Sequence, residues 1–141
     1  MSNTAAIRRG SVLWLTTTAL LMGMNIILSM SVLSIPVPGG HLYFCDTVIN
    51  TAAILLDPVA AFVVGGVGSF LGDFFFYPAP MFVSLVTHGL QAVVISLFAH
   101  RVLKDRPRLA SGIGVAVGAV IMIVGSTYCA PYYFVLNNKT P

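Results

Sequence analysis

Between Gly10 and His100 the chain has no Lys or Arg, and it has no Glu anywhere. A run of that length without a cation cannot coat a water-facing surface. Soluble domains place about 25% of their residues in charges; here the share is 8%, beside 57% hydrophobic residues. Together with a mean hydropathy of +0.95, this makes the chain an integral membrane protein. Lipid offers no partner to a bare peptide group, so an apolar segment that crosses must close its own hydrogen bonds as a helix. The fold class that follows is all-α. The positive charge sits at the two ends and in one loop, so a net charge of +3 and a pI near 9.1 report topology and not a nucleic-acid partner.

Arg8 and Arg9 precede an apolar run that lasts from Val12 to Leu33. That is longer than the hydrophobic region of a signal peptide, and no small-x-small cleavage site follows it, so we read it as a retained span over residues 11–33 with a cytoplasmic N-terminus. Cys45 follows no leader and sits in no lipidation box. The segment SIPVPGGHLY at 34–43 reads as an outer loop, because two prolines and two glycines break every regular pattern. A second apolar stretch at 44–56 has Asp46 as a first-turn or N-cap residue and stops at Asp57-Pro58. It is too short to cross alone and needs loop, tilt or protein burial to complete the passage. A third span at 58–76 opens on Pro58, an aromatic and proline turn follows from Phe74 to Met81, and a fourth span covers 82–99. HRVLKDRPR at 100–108 holds four of the seven basic residues. It therefore belongs on the inside, and an even number of crossings before it satisfies the charge rule a second time. A fifth span at 109–129 ends in an aromatic rim at Tyr128, Tyr132, Tyr133 and Phe134. Residues 1–141 thus read as one membrane domain with five visible spans. No sixth apolar segment is visible, which leaves the C-terminus outside.

Small residues mark where helices meet. Ala19 and Gly23 form a small-xxx-small pair on the first span, facing either a helix of this chain or a partner. Ala61, Gly65, Gly68 and Gly72 make a stripe on the third span, and Ala110, Gly114, Gly118 and Gly125 make another on the fifth. These glycines suit packing and not phosphate, since neither a dinucleotide fingerprint nor GK[ST] occurs. No ATPase signature is therefore visible in the chain. Ser84, His88 and Gln91 fall at i, i+4 and i+7, which puts three polar groups on one face of an apolar span. They face a cavity or bond across to another helix. Cys45 and Cys129 are too few for a disulfide framework; they pack as free thiols or form one bridge, and their spacing suggests no metal site.

An ordered set of segments resembles the substrate-binding S component of an energy-coupling factor (ECF) vitamin transporter. The set comprises the outer loop followed by Asp46, LLDP at Leu55 to Pro58, AAFVVGGVGSFLGD at Ala60 to Asp73, YPAP at Tyr77 to Pro80, and HGLQA at His88 to Ala92. The resemblance covers residues 11–130. It implies a six-helix bundle, here with five spans in view, in the plasma membrane of a bacterial cell. Such a bundle captures a water-soluble vitamin or precursor and docks on a transmembrane coupling subunit driven by two ATPase subunits. It also implies that Ala19 and Gly23 meet the coupling subunit.

With the N-terminus inside, the 34–43 loop, the start of the second span, the Tyr77 turn and the start of the fourth span share the outer face. His41, Tyr43, Asp46, Asn50, Tyr77, Ser84, His88 and Gln91 are therefore the candidate substrate-binding residues. Asp46 and Asn50 stand at i, i+4 and point one way. Asp73 is expected to interact with helix ends nearby, and Asp57 to cap the third span before Pro58. No Arg or Lys lies on this half, and a carboxylate or phosphate is usually met by one of them. The expected ligand is a neutral or weakly basic heterocycle such as hydroxymethylpyrimidine or pyridoxine, with no cofactor and no metal. A second class is a small proton-coupled transporter or exporter using Asp46 or Asp73. An enzyme is not expected, because HExxH, GxSxG and paired mid-helix aspartates are all missing.

Overall fold

The computed structural model describes residues 9–29, 35–37, 40–42, 44–76, 81–102 and 107–137. Helix α1 (Val12–Ser29) begins where Ser11 Oγ accepts the Trp14 backbone N–H at 3.1 Å. This is the side-chain cap that a free first turn needs. Gly10, at φ +79°, supplies the left-handed residue that turns the chain into it. Strands β1 (Ile35–Val37) and β2 (Gly40–Leu42) pair antiparallel, with Ile35 opposite Leu42 and Val37 opposite Gly40. The sequence read this stretch as an irregular loop. The β-branched Ile35 and Val37 beside a two-residue link support a hairpin in spite of Pro36.

Helix α2 (Cys45–Leu55) has 11 residues, about 16 Å at 1.5 Å per residue against a hydrocarbon core of about 30 Å. It is short but largely enclosed by protein. Ile49, Ala52, Ala53 and Leu56 are buried, so its length is not set by lipid. It begins beside Ser29, and the turn after it reaches Trp14. Helix α3 covers 58–76 in three parts: Pro58–Phe62, a π-helical turn at Val63–Val67, and Gly68–Phe76. Helix α4 covers 81–102, with a second π-helical turn at Phe98–Val102. Helix α5 (Pro107–Asn137) has 31 residues and passes through Pro131; it therefore continues beyond residue 129, where the fifth apolar span was expected to stop.

Among the described residues, four helices are long and apolar enough to cross a membrane, over Val12–Ser29, Pro58–Phe75, Met81–Arg101 and Arg108–Gly125, and Cys45–Leu55 is a shorter apolar helix. Glycines bring them close. A Cβ on Gly65 would lie 2.8 Å from Ala92 Cβ and 2.9 Å from His88 O, so α3 and α4 touch almost backbone to backbone. A Cβ on Gly72 would lie 2.8 Å from Ser29 Cβ, which presses the other half of α3 on α1. Ile49, Ala53, Ala61, Ala92 and Ile95 form one buried cluster; Ala52, Leu56, Ala60 and Val64 form another under Trp14, Leu21 and Met22. On α5, Gly114 and Gly118 receive Ile95 of α4, and Gly125 receives Thr87. The described residues are thus an all-helical membrane bundle with one short hairpin, and α4 lies at its centre.

Candidate functional site

Two polar bridges join α2 to α4, one helical turn apart. Asp46 stands in the first turn of α2, and its Oδ1 lies 3.6 Å from His88 Nε2. Further along, Gln91 Nε2 donates to Asn50 Oδ1 at 3.5 Å. Both separations exceed the usual N–H···O length of about 2.9 Å. The pairs meet without closing tightly. Among the described residues, neither Asp46 Oδ1 nor Gln91 Oε1 accepts a hydrogen bond, although both atoms are buried. A buried acceptor left unmet costs about 1–3 kcal/mol. Two such acceptors in neighbouring turns are a feature that a solute with N–H or O–H donors would satisfy.

The ring of His88 is held from behind. Its Nδ1 lies 3.3 Å from Ser84 O and 3.3 Å from Thr87 Oγ1. The Thr87 hydroxyl already donates to Val83 O at 2.8 Å. A carbonyl can only accept, and the Thr87 proton is committed elsewhere, so Nδ1 carries the hydrogen. Nε2 is then the atom aimed at Asp46. Ser84 turns its hydroxyl to Asp73 of α3, and Asp73 also lies within electrostatic reach of His88. Asp73 therefore joins the polar face of α4 instead of serving a helix end.

Of the eight residues that the sequence singled out, Asp46 meets His88, Asn50 meets Gln91, and Ser84 stands one turn from His88 with its own bond to Asp73. His41 lies on β2 opposite Pro36, with its side chain outside the described residues; Tyr43 and Tyr77 also lie outside them. Asp57 occupies the N-cap position of α3, but its side chain makes no cap bond there. It accepts from Trp14 Nε1 at 2.5 Å and pairs with Arg9 Nε at 3.0 Å, so it ties α1 to the α2–α3 junction. Ala19 is exposed, and a Cβ on Gly23 would meet nothing within 4 Å. That pair faces away from the bundle.

Sequence reasoning passed over two residues. Asn25 is fully buried in α1 and donates to Val64 O at 2.7 Å, inside the π-helical turn, and to Ser69 Oγ at 3.3 Å. An amide in the middle of an apolar span was the available signal. Cys45 is a buried free thiol bonded to Ser29. Its Sγ, a carboxylate oxygen of Asp46 and a ring nitrogen of His88 all lie within 4.8 Å of one another. No spacing rule reveals such a group, because its donors come from two helices.

The sequence profile of the family described as "ECF-type riboflavin transporter, S component" matches residues 10–138. A protein of Pyrococcus woesei, described as "Uncharacterized protein in gap 3'region", is 32% identical over 93 residues, which are 64% of this chain and 61% of that protein. The chain thus spans somewhat under two thirds of that relative's length.

Proposed function

The chain belongs to the family of ECF-type riboflavin transporter S components, and we propose that its α2–α4 seam captures a neutral heterocyclic vitamin, with riboflavin the first compound to test. Members of this family are membrane-integral substrate-binding proteins of an ECF-type vitamin importer and not enzymes; they work with a transmembrane component and ATPases. The observation that carries the substrate reading is the pair of bridges Asp46–His88 and Asn50–Gln91, with a buried, unmet acceptor in each. These groups offer carbonyl and carboxylate oxygens to ring N–H donors, and an amide N–H to a ring carbonyl or nitrogen. No Lys or Arg stands between residues 10 and 100, so a carboxylated or phosphorylated vitamin would find no guanidinium or ammonium partner. The flavin ring system is neutral and carries both kinds of edge. Hydroxymethylpyrimidine and pyridoxine share those properties at smaller size.

A proton-coupled exporter built on Asp46 or Asp73 is the weaker reading, because the family is one of ATP-driven importers. The outward-facing Ala19 and Gly23 support a docking role for α1 on the transmembrane component, by the close helix contact that small residues allow.

The test is equilibrium binding to the purified chain in detergent, using riboflavin, pyridoxine and hydroxymethylpyrimidine beside the carboxylated vitamins biotin and pantothenate. We expect a neutral compound to bind, and Asp46→Asn or Gln91→Leu to weaken it by about 1–3 kcal/mol, the cost of leaving buried partners unpaired. Binding of carboxylated vitamins alone would reject the reading.

A further inference from the structure

We propose that Cys45, Asp46 and His88 bind one divalent transition-metal ion, for which zinc is the best match, and that the ion keeps a coordination position open to the captured solute. The last clause rests on the solute-capture reading; the ion site itself stands on geometry.

Three donor atoms of different chemistry converge from two helices: a thiol from the first residue of α2, a carboxylate from the second, and an imidazole from the middle of α4. Zinc accepts this mixture of S, O and N. Ligands at about 2.0–2.3 Å from a tetrahedral ion stand about 3.4–3.8 Å apart. Asp46 Oδ1 and His88 Nε2 already stand at 3.6 Å. The sulfur, within 4.8 Å of both, needs a shift of about 1 Å, which a side-chain rotation supplies.

The ring orientation gives an independent argument. Ser84 O and the committed Thr87 hydroxyl place a hydrogen on Nδ1, which leaves Nε2 as the ring nitrogen that faces Asp46 Oδ1, itself a buried atom with no hydrogen-bond donor among the described residues. A metal ion between Nε2 and Oδ1 would be met by both atoms at close to their present separation of 3.6 Å. The backbone carbonyl behind Nδ1 is also the outer-sphere support that metal-bound histidines use to hold their tautomer. Three protein ligands leave a tetrahedral ion one free position, the arrangement that presents a metal to a substrate. Balanced by the thiolate and the carboxylate, the ion would add no net charge to this half of the bundle and would offer the solute a Lewis-acid centre.

The experiment uses the full-length chain in detergent, titrated with Zn²⁺ against a chromophoric chelator and separately with Co²⁺ followed by absorption. The expected result is one ion per chain and a thiolate-to-cobalt band in the near ultraviolet. Cys45→Ser should abolish the band; Cys45→Ser and His88→Gln should each weaken zinc binding by about tenfold or more; and Cys129→Ser, at the other thiol, should change neither. A zinc-dependent rise in Tm in the wild type should shrink in the ligand variants, whose own Tm without zinc reports that they fold. No ion retained above a blank, a cobalt spectrum without the thiolate band, or equal loss in Cys129→Ser would overturn the proposal. If the ligand variants do not fold, the wild-type cobalt spectrum still decides. Riboflavin binding is measured with and without the chelator: vitamin binding without ion uptake sinks the metal site and leaves solute capture standing, and ion uptake without vitamin binding does the reverse.

Discussion

Asn25 shows what one side chain does in this bundle. A π-helical turn takes Val64 O out of the ordinary ladder of α3, and the amide of Asn25, reaching from α1, donates to it at 2.7 Å. With no water at that depth, removing the donor leaves a buried carbonyl unmet. Asn25→Ala is therefore expected to cost about 1–3 kcal/mol, read as a lower Tm of the purified chain. Thr16→Ala removes a hydroxyl that only returns to its own helix at an exposed position, and should stay within about 0.5 kcal/mol. Equal effects of the two would remove Asn25 from its role. At this scale the sequence was partly legible. Ser84, His88 and Gln91 stood out because one helix places them by arithmetic, and Asp46 and Asn50 for the same reason. That Asp46 meets His88, and that Cys45 joins them, depends on how two helices lie against each other, which no spacing within one helix encodes.

Between elements, the decisive quantity is the distance that glycine permits. Gly65 has no room for a methyl group, since the intruding atom would meet Ala92 and the backbone oxygen of His88 below 3 Å. Gly112 on α5 has open space. Gly65→Ala should push α3 from α4 at a cost of about 1–3 kcal/mol and weaken solute binding as the Asp46–His88 pair shifts. Gly112→Ala should be neutral or slightly stabilising, since a helix-interior Gly is worth about 1 kcal/mol less than Ala. Thermal unfolding of both variants in one detergent checks this, and a stable Gly65→Ala with intact binding would contradict the packing described. The small-residue stripe of α3 was readable in the sequence, but as a single face. In the structure it divides: Gly65 and Gly66 meet α4, while Gly68 and Gly72 meet α1. A period of 3.6 could not anticipate that division, because the first pair lies within the π-helical turn and the second follows it.

For the whole molecule, family membership and the outward pair on α1 join in one prediction. A large side chain at position 23 has free space in the isolated chain, so Gly23→Leu should leave folding and vitamin binding unchanged. It should sharply reduce co-purification with the transmembrane component and ATPases, by removing a close-approach surface; undiminished assembly would place the docking face elsewhere. The number and order of apolar helices, the central polar stretch and the resemblance to S components were all legible, since lipid imposes length and hydropathy on every crossing. The brevity of α2 was legible too, but the reason that it suffices was not: its walls are other helices, and burial of that kind is a property of the assembled bundle. Helix α3 also limits how this chain can vary in length. The wide turn at Val63–Val67 can give up its extra residue by reverting to the common pitch, but deleting one residue from the ordinary helix just after it, within Gly68–Phe76, would swing all that follows by about 100°. Gly72 would lose Ser29, and Asp73 would lose Ser84. A surface loop absorbs such an edit at little cost, whereas here a single codon sets the rotational phase of everything downstream.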